Sequence, residues 1–306
     1  MAADTAQICS AAAATVVPPA DQTSSAPEGC SAYRAYYGVS QPADPELARA
    51  CAFQERNAGT NSDTPFRASA ILTMIYANGQ GVARNTDLAV KFACEITGGA
   101  VAEMEARVDH LRNRSGERRF DLCDDITSGY MGGYCESKES DLADQERSRK
   151  IAAILANAPA AERTAFDELR KAGEAYFTLN ADSTLGTGGT IRAALEISGA
   201  EEQRTLFVDT LARLEKRDRP DGMEGDFAAA DRDLNAIYRR LLDWANPEDG
   251  TTPDELRKAE RAWIAYRDRW LDFARLRYPD LPPDQMKTLL TRERIAAIDS
   301  VLHPPH

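Results

Sequence analysis

No apolar run in this 306-residue chain approaches the ~18 residues needed to cross a bilayer, which excludes a membrane-spanning helix. Cationic charge is short as well. Against 49 aspartates and glutamates stand 37 lysines and arginines, a net charge of −12. That balance argues against sequence-independent binding to nucleic acid or to an anionic membrane surface, and it suits a basic partner. Only three histidines occur, His110, His303 and His306, and no two cysteines form a C-x-x-C pair, so neither a metal site nor a cofactor is expected. Nucleophile motifs are missing, and the glycine-rich "TLGTGGT" at Thr184 to Thr190 lacks the Gly-Lys-Ser/Thr ending of a phosphate loop. Acidic residues are so abundant that some pair would lie at glycosidase separation by chance, which supports no hydrolase. The expectation is a protein that is not an enzyme. Runs of β-branched residues with period two are absent too, which excludes an extensive sheet.

Cysteine is present in an even number: Cys9, Cys30, Cys51, Cys94, Cys123 and Cys135. Disulfides in an oxidising compartment explain the count best. Cys123 and Cys135 enclose eleven residues that include Gly129, Gly132 and Gly133, a loop tight enough to close, so these two are expected to pair. The other four allow three pairings, with Cys9–Cys30 and Cys51–Cys94 preferred. No basic residue precedes Arg34, and Met1 before "AADTAQ" reads as a chain begun just after a signal cleavage site, so a periplasmic or secreted location is expected.

Along the chain, residues 1–29 are Ala/Ser/Pro-rich without period and read as a flexible leader. Helical spacing begins after Cys30. Ile71, Leu72, Ile75 and Tyr76 share one helical face, Gly79 and Gly81 make a turn, and Leu88, Phe92 and Ile96 form a second face. Further on, "DELRKA" occurs twice, at Asp167–Ala172 and Asp254–Ala259, an offset of 87 residues. The same offset carries Tyr176 onto Trp263, Leu155 onto Leu242 and Leu211 onto Ile298, which is the mark of an internal duplication. In the second copy Leu234, Ile237, Tyr238 and Leu241 form one stripe. Ala259, Trp263, Tyr266 and Trp270 form another, a spacing that faces two helices across an antiparallel hairpin.

The pattern Ala70, Leu72, Tyr76, Gly79, Gly81, Val82, Asn85 and Ala89 resembles a Sel1-like repeat, which implies α-hairpins stacked as a solenoid and contact with other proteins. Asp231, Leu234, Asn235 and Tyr238, then Ala259, Trp263, Tyr266, Arg267 and Asp268, then Thr291 and Arg292, resemble the helical domain of the LprI-type lysozyme inhibitor family. The Cys123/Cys135 segment resembles that family's cysteine hairpin, whereas Trp270 and Leu271 stand where the family usually carries a cysteine. The expected fold is therefore all-α: Sel1-like repeats over 30–112, then two LprI-like helical domains over 113–219 and 220–306. The resemblance implies an exported binding protein that inhibits, or gives immunity to, a cell-wall hydrolase of the lysozyme or muramidase type. A periplasmic Sel1-type scaffold is the second reading.

Two sets of residues follow as sites. Asp231 and Arg267 are expected to pair across facing helices, with Asn235 bonding in the same seam beside Trp263. Helix stripes being committed to the core, the partner is expected at a protruding loop, "DSTLGTGGT", with Asp182, Ser183, Thr187, Gly188, Gly189 and Thr190 as contact residues; its glycine N–H groups and the Ser183, Thr187 and Thr190 hydroxyls offer hydrogen-bond donors and little bulk to a carboxylate-lined cleft.

Overall fold

The computed structural model describes residues 4–22, 25–59, 65–115, 118–184, 189–249 and 251–304, and among them the regular structure is helical throughout, with no strand. The chain divides into two compact units, Met1–Gln145 and Glu146–His306.

In the first unit short helices follow one another: α1 (Thr5–Ala13), α2 (Ala32–Tyr37), α3 (Pro45–Asn57), α4 (Ala68–Asn78), α5 (Thr86–Cys94), α6 (Val101–Asn113) and the first part of α7 (Gly129–Ile154). Their limits are written in the sequence. Asp44 caps α3 by accepting from the Glu46 and Leu47 N–H groups, with Pro45 at the first helical position, where its missing N–H costs nothing. α4 stops at Gly79, whose φ of +67° is a left-handed cap that only glycine adopts freely. Asn85 then caps α5. The resulting α4/α5 hairpin is the centre of the unit's core: Ile71, Leu72, Met74, Ile75, Leu88 and Phe92 are fully buried, and Tyr76 stacks on Phe92 at 5.6 Å. Buried Glu103 of α6 accepts the main-chain N–H groups of Thr127 (2.8 Å) and Ser128 (2.6 Å), fixing the segment that follows Cys123.

Two expectations are corrected here. Cys9 bonds to Cys94 and Cys30 to Cys51, rather than Cys9 to Cys30 and Cys51 to Cys94; Cys123 bonds to Cys135. The reason is packing. α1 lies on α5, which puts Cys9 beside Cys94 with 5.6 Å between Cα atoms, and α2 lies on α3, which puts Cys30 beside Cys51 at 5.7 Å. For the same reason residues 5–22 are not a free leader. The Lys91 ammonium donates to the Ala13 and Thr15 carbonyls, and the Tyr76 hydroxyl donates to Asp21 at 2.9 Å.

The second unit holds the end of α7, then α8 (Ala160–Thr184), α9 (Arg192–Glu215), α10 (Phe227–Trp244), α11 (Pro253–Arg277) and α12 (Pro283–Leu302). α8 and α11 run antiparallel: Phe166 meets Phe273 at 5.4 Å near one end, and Tyr176 stacks on Tyr266 at 5.5 Å further along. They approach closely at Gly173, where an added Cβ would stand 3.2 Å from the Phe177 ring and 3.3 Å from that of Tyr266. α9 covers α8, and α10 packs on α12. The α11 stripe is buried as its spacing predicts, and so are Leu234, Ile237 and Leu241 of the α10 stripe, with Tyr238 half-buried; but α10 and α11 do not form the expected hairpin pair, because each finds its main surface elsewhere, α10 on α12 and α11 on α8. A single core encloses residues from Phe166 to Ile298, so the expected division at 219/220 falls inside it. Arg277 joins three segments at one end, bonding to Glu162 of α8, Glu215 of α9 and the Ile154 carbonyl.

Candidate functional site

The residues expected to grip a partner lie at the corner between α8 and α9. Helix α8 carries on through Thr184, so Ser183 and Thr184 are in its last turn and face inward; both hydroxyls donate back to the Asn180 carbonyl. Such back-bonding satisfies the hydroxyls locally and withdraws Ser183 from the surface. Asp182 points the other way and pairs with Arg192 at 2.9 Å, and Arg192 also pairs with Glu196 one turn on. Gly189 has φ of +87° and open space where a Cβ would be. Thr190 is exposed, and Ile191 and Leu195 next to it are 53% and 40% exposed. Thr187 and Gly188 lie outside the described residues. The corner therefore presents an ion pair, a hydroxyl and two aliphatic side chains on one short stretch of surface.

The seam residues are differently arranged from the expectation. Asn235 donates to the Asp231 carbonyl and carboxylate within α10, and Arg267 pairs with its neighbour Asp268 at 2.9 Å while lying over the Trp263 ring at 5.4 Å. The Asp231–Arg267 pair across helices is thus replaced by pairs within each helix, as follows from α10 packing on α12. Trp263 and Trp270 are core residues, the second fully buried with its indole N–H donating to the Tyr266 hydroxyl at 2.7 Å.

What holds α8, α11 and α12 together is a polar cluster that sequence reasoning missed. Arg294, 1% exposed, donates to Glu260 (3.0 Å), to the Asn180 side-chain carbonyl (2.5 Å) and to the Tyr176 hydroxyl (3.3 Å). Burial pulls its guanidinium down, and Tyr176 and Glu260 more than restore it. Its Nη2 lies 3.0 Å from the Glu260 carboxylate in the ion pair, without the alignment of a hydrogen bond. The signal was available: Leu290, Arg294 and Ile298 follow one another at a spacing of four, so Arg294 falls on the buried stripe of α12. Beside it, burial pushes the Glu293 carboxyl up to about 7, with the Thr210 hydroxyl pulling the other way. Burial also raises the Tyr176 and Tyr266 phenols, so neither ionises near neutrality. Arg294, Tyr176, Asn180 and Tyr266 of this cluster are buried. Among the described residues no three His, Cys, Asp or Glu side chains converge as a metal site would require.

Comparison with known proteins agrees with part of this picture. No curated protein and no solved structure matches the chain. A family model does: the one described as Lysozyme inhibitor LprI matches residues 220–297, the stretch that contains α10, α11 and most of α12.

Proposed function

We propose that this protein is exported, is not an enzyme, and binds and inhibits a cell-wall hydrolase of the lysozyme or muramidase type. The observation that carries the reading is the match of residues 220–297 to the lysozyme inhibitor family. Three further facts support it. The disulfides suit an oxidising compartment. No described helix is long and apolar enough to cross a membrane. A net charge of −12 favours encounter with a basic hydrolase.

Within that reading the α8–α9 corner is the contact surface, with Asp182, Thr187, Gly188, Gly189 and Thr190 around the target's cleft and Ile191 adding apolar area. Ser183 supports the turn from inside. The unit's second half is a diverged copy of its first, a view supported by Leu169 and Leu256, Tyr176 and Trp263, and Leu211 and Ile298, all buried at the same offset in one core. The test is direct: purified protein is added to basic muramidases of different structural classes, and the clearing of a cell-wall suspension is followed. Stoichiometric loss of lytic rate for at least one of them is expected, and full activity of every muramidase at a large excess of this protein would overturn the proposal. The second reading, a scaffold, is favoured by the α4/α5 hairpin with its left-handed Gly79 and Gly81, which suits a Sel1-like repeat. It predicts an envelope protein captured by residues 1–145 and no inhibition.

A further inference from the structure

This acidic chain has a cavity whose lining is mostly cationic. A cavity of about 320 Å³ in the first unit is lined by His110, Arg114, Ser115, Arg118, Arg119 and Asp124. Its two best-placed guanidinium groups are held by neutral partners. Arg114 donates to the carbonyls of Ala77 (2.6 Å) and Arg118, and Arg119 lies over the Tyr36 ring at 5.5 Å. Neither forms an ion pair with a carboxylate among the described residues, so each is oriented by neutral groups, with Asp124 of the lining acting on Arg114 only at longer range. The acidic groups nearby pair with the other cations of the lining: Asp125 with the His110 ring at 2.9 Å, and Asp124, which also accepts the Asp121 N–H at 3.0 Å, with Arg118 at 3.5 Å. Partial burial together with the charge of Arg84 pushes the Arg114 guanidinium below its ordinary value, as expected for a cation short of counter-charge.

We infer that this cavity binds a small multivalent oxyanion, a molecule carrying two or more carboxylate or phosphate groups. The chemistry follows from the donors. A guanidinium whose fork is already oriented binds a planar carboxylate or a phosphate edge bidentately, and it loses little side-chain freedom on doing so. Two such groups in a space of this size match a ligand with two anionic ends rather than one. Asp124 in the lining repels an anion, but it is engaged with Arg118, which leaves the anion's position to Arg114 and Arg119. The site is independent of the inhibitor reading, since every residue in it lies in the first unit.

The experiment is isothermal titration of the full chain at low ionic strength with citrate and, separately, with pyrophosphate. Binding of either is expected, weakening as salt is added. Arg119→Gln is expected to weaken it about tenfold and Arg114→Gln with Arg119→Gln to abolish it, the loss of one charge-assisted contact each time. Arg232→Gln with Arg239→Gln, exposed positions of α10, is expected to change nothing and so controls for overall charge. Because Arg114 also bonds the chain to itself, far-UV circular dichroism accompanies each variant, and Arg119→Gln decides the matter if the double variant unfolds. No binding of either probe, or unchanged affinity in folded Arg119→Gln, or equal loss in the α10 control, would overturn the inference. Preference for citrate assigns the site to carboxylates, and preference for pyrophosphate to phosphates.

Discussion

All six cysteines of the chain lie in the first unit and all three tryptophans in the second, and the two units are held together accordingly. The first is built of helices of 6 to 13 residues before α7, too short to be stable alone, and it is braced by three disulfides. Helices of 18 to 25 residues make up α8 to α12, with no cross-link, around an aromatic core and one buried arginine. The contrast teaches that helix length and covalent bracing substitute for one another. Long amphipathic helices bury enough apolar surface to fold by packing, whereas short ones gain stability from bonds that restrict the unfolded chain.

Reduction should therefore divide the molecule. Each disulfide contributes about 2–4 kcal/mol, so losing three removes most of the stability a unit of this size has. Dithiothreitol is expected to lower the helical circular dichroism while the tryptophan fluorescence, which reports Trp244, Trp263 and Trp270 of the second unit only, keeps its folded emission. A parallel loss of both signals would break the comparison. Among single bonds, Cys9–Cys94 closes a separation of 85 residues against 12 for Cys123–Cys135, so its removal should cost the more.

The second unit has its own point of failure. Arg294→Ala leaves Asn180 buried and Glu260 largely buried without their partner and should destabilise that unit by about 3 kcal/mol, read as an earlier tryptophan transition in urea. Arg294→Met combined with Glu260→Gln removes both charges and should recover more than half of that loss. If the single and double variants are equally unstable, the arginine acts by packing rather than by charge.

These two regions were not equally legible. Helical class, the α4/α5 hairpin with Gly79 and Asn85 at its turn, and the burial of Trp263, Tyr266 and Trp270 follow from local spacing and caps, which the sequence displays directly. Cysteine pairing was not legible for Cys9, because it depends on α1 lying on α5, a contact between residues about eighty positions apart whose apolar surface is too small to announce itself. The seam failed for a related reason. Asp231 and Arg267 are polar positions on adjacent helices, but adjacency in sequence does not say that α10 packs on α12. Arg294 is legible in principle from its spacing with Leu290 and Ile298, but a charged side chain alone does not say that its stripe is buried. Asp182 and Ser183 differ by one helical step, about 100° of rotation, which is enough to expose one and bury the other.

A smaller effect sharpens the comparison through pH. The Glu293 carboxyl is raised from 4.5 to about 7 by burial in the second unit. Between those values the unfolded chain has lost the proton that the folded chain keeps, so stability is present in full below pH 4.5 and falls as pH rises through 7. The size is on the order of 2 kcal/mol after allowing for the side chain's partial exposure. Urea titrations of tryptophan fluorescence at intervals across this range should show the slope, and Glu293→Gln should flatten it. A slope unchanged in that variant would assign the effect to another group.

The smallest effect on stability is expected where the largest effect on function is proposed. Thr190→Arg with Ile191→Arg places two long cations on exposed positions of the α8–α9 corner and avoids Gly189, whose left-handed φ of +87° would strain any other residue. Surface changes of this kind shift stability by no more than about 0.5 kcal/mol. Against a basic muramidase the added charge and bulk should nevertheless weaken inhibition by at least about tenfold, since like charge and a lost apolar anchor act together at one contact. The corner between α11 and α12 supplies the control. Asp280→Arg there makes a similar charge change on an exposed turn, beside a cavity of about 510 Å³, and should leave inhibition within about twofold of the unmodified chain. Equal losses at the two corners would mean that only net charge matters and that the partner reads no particular loop. A loss confined to Asp280→Arg would move the contact surface to the half of the unit that matches the inhibitor family, and α8–α9 would then be a connector.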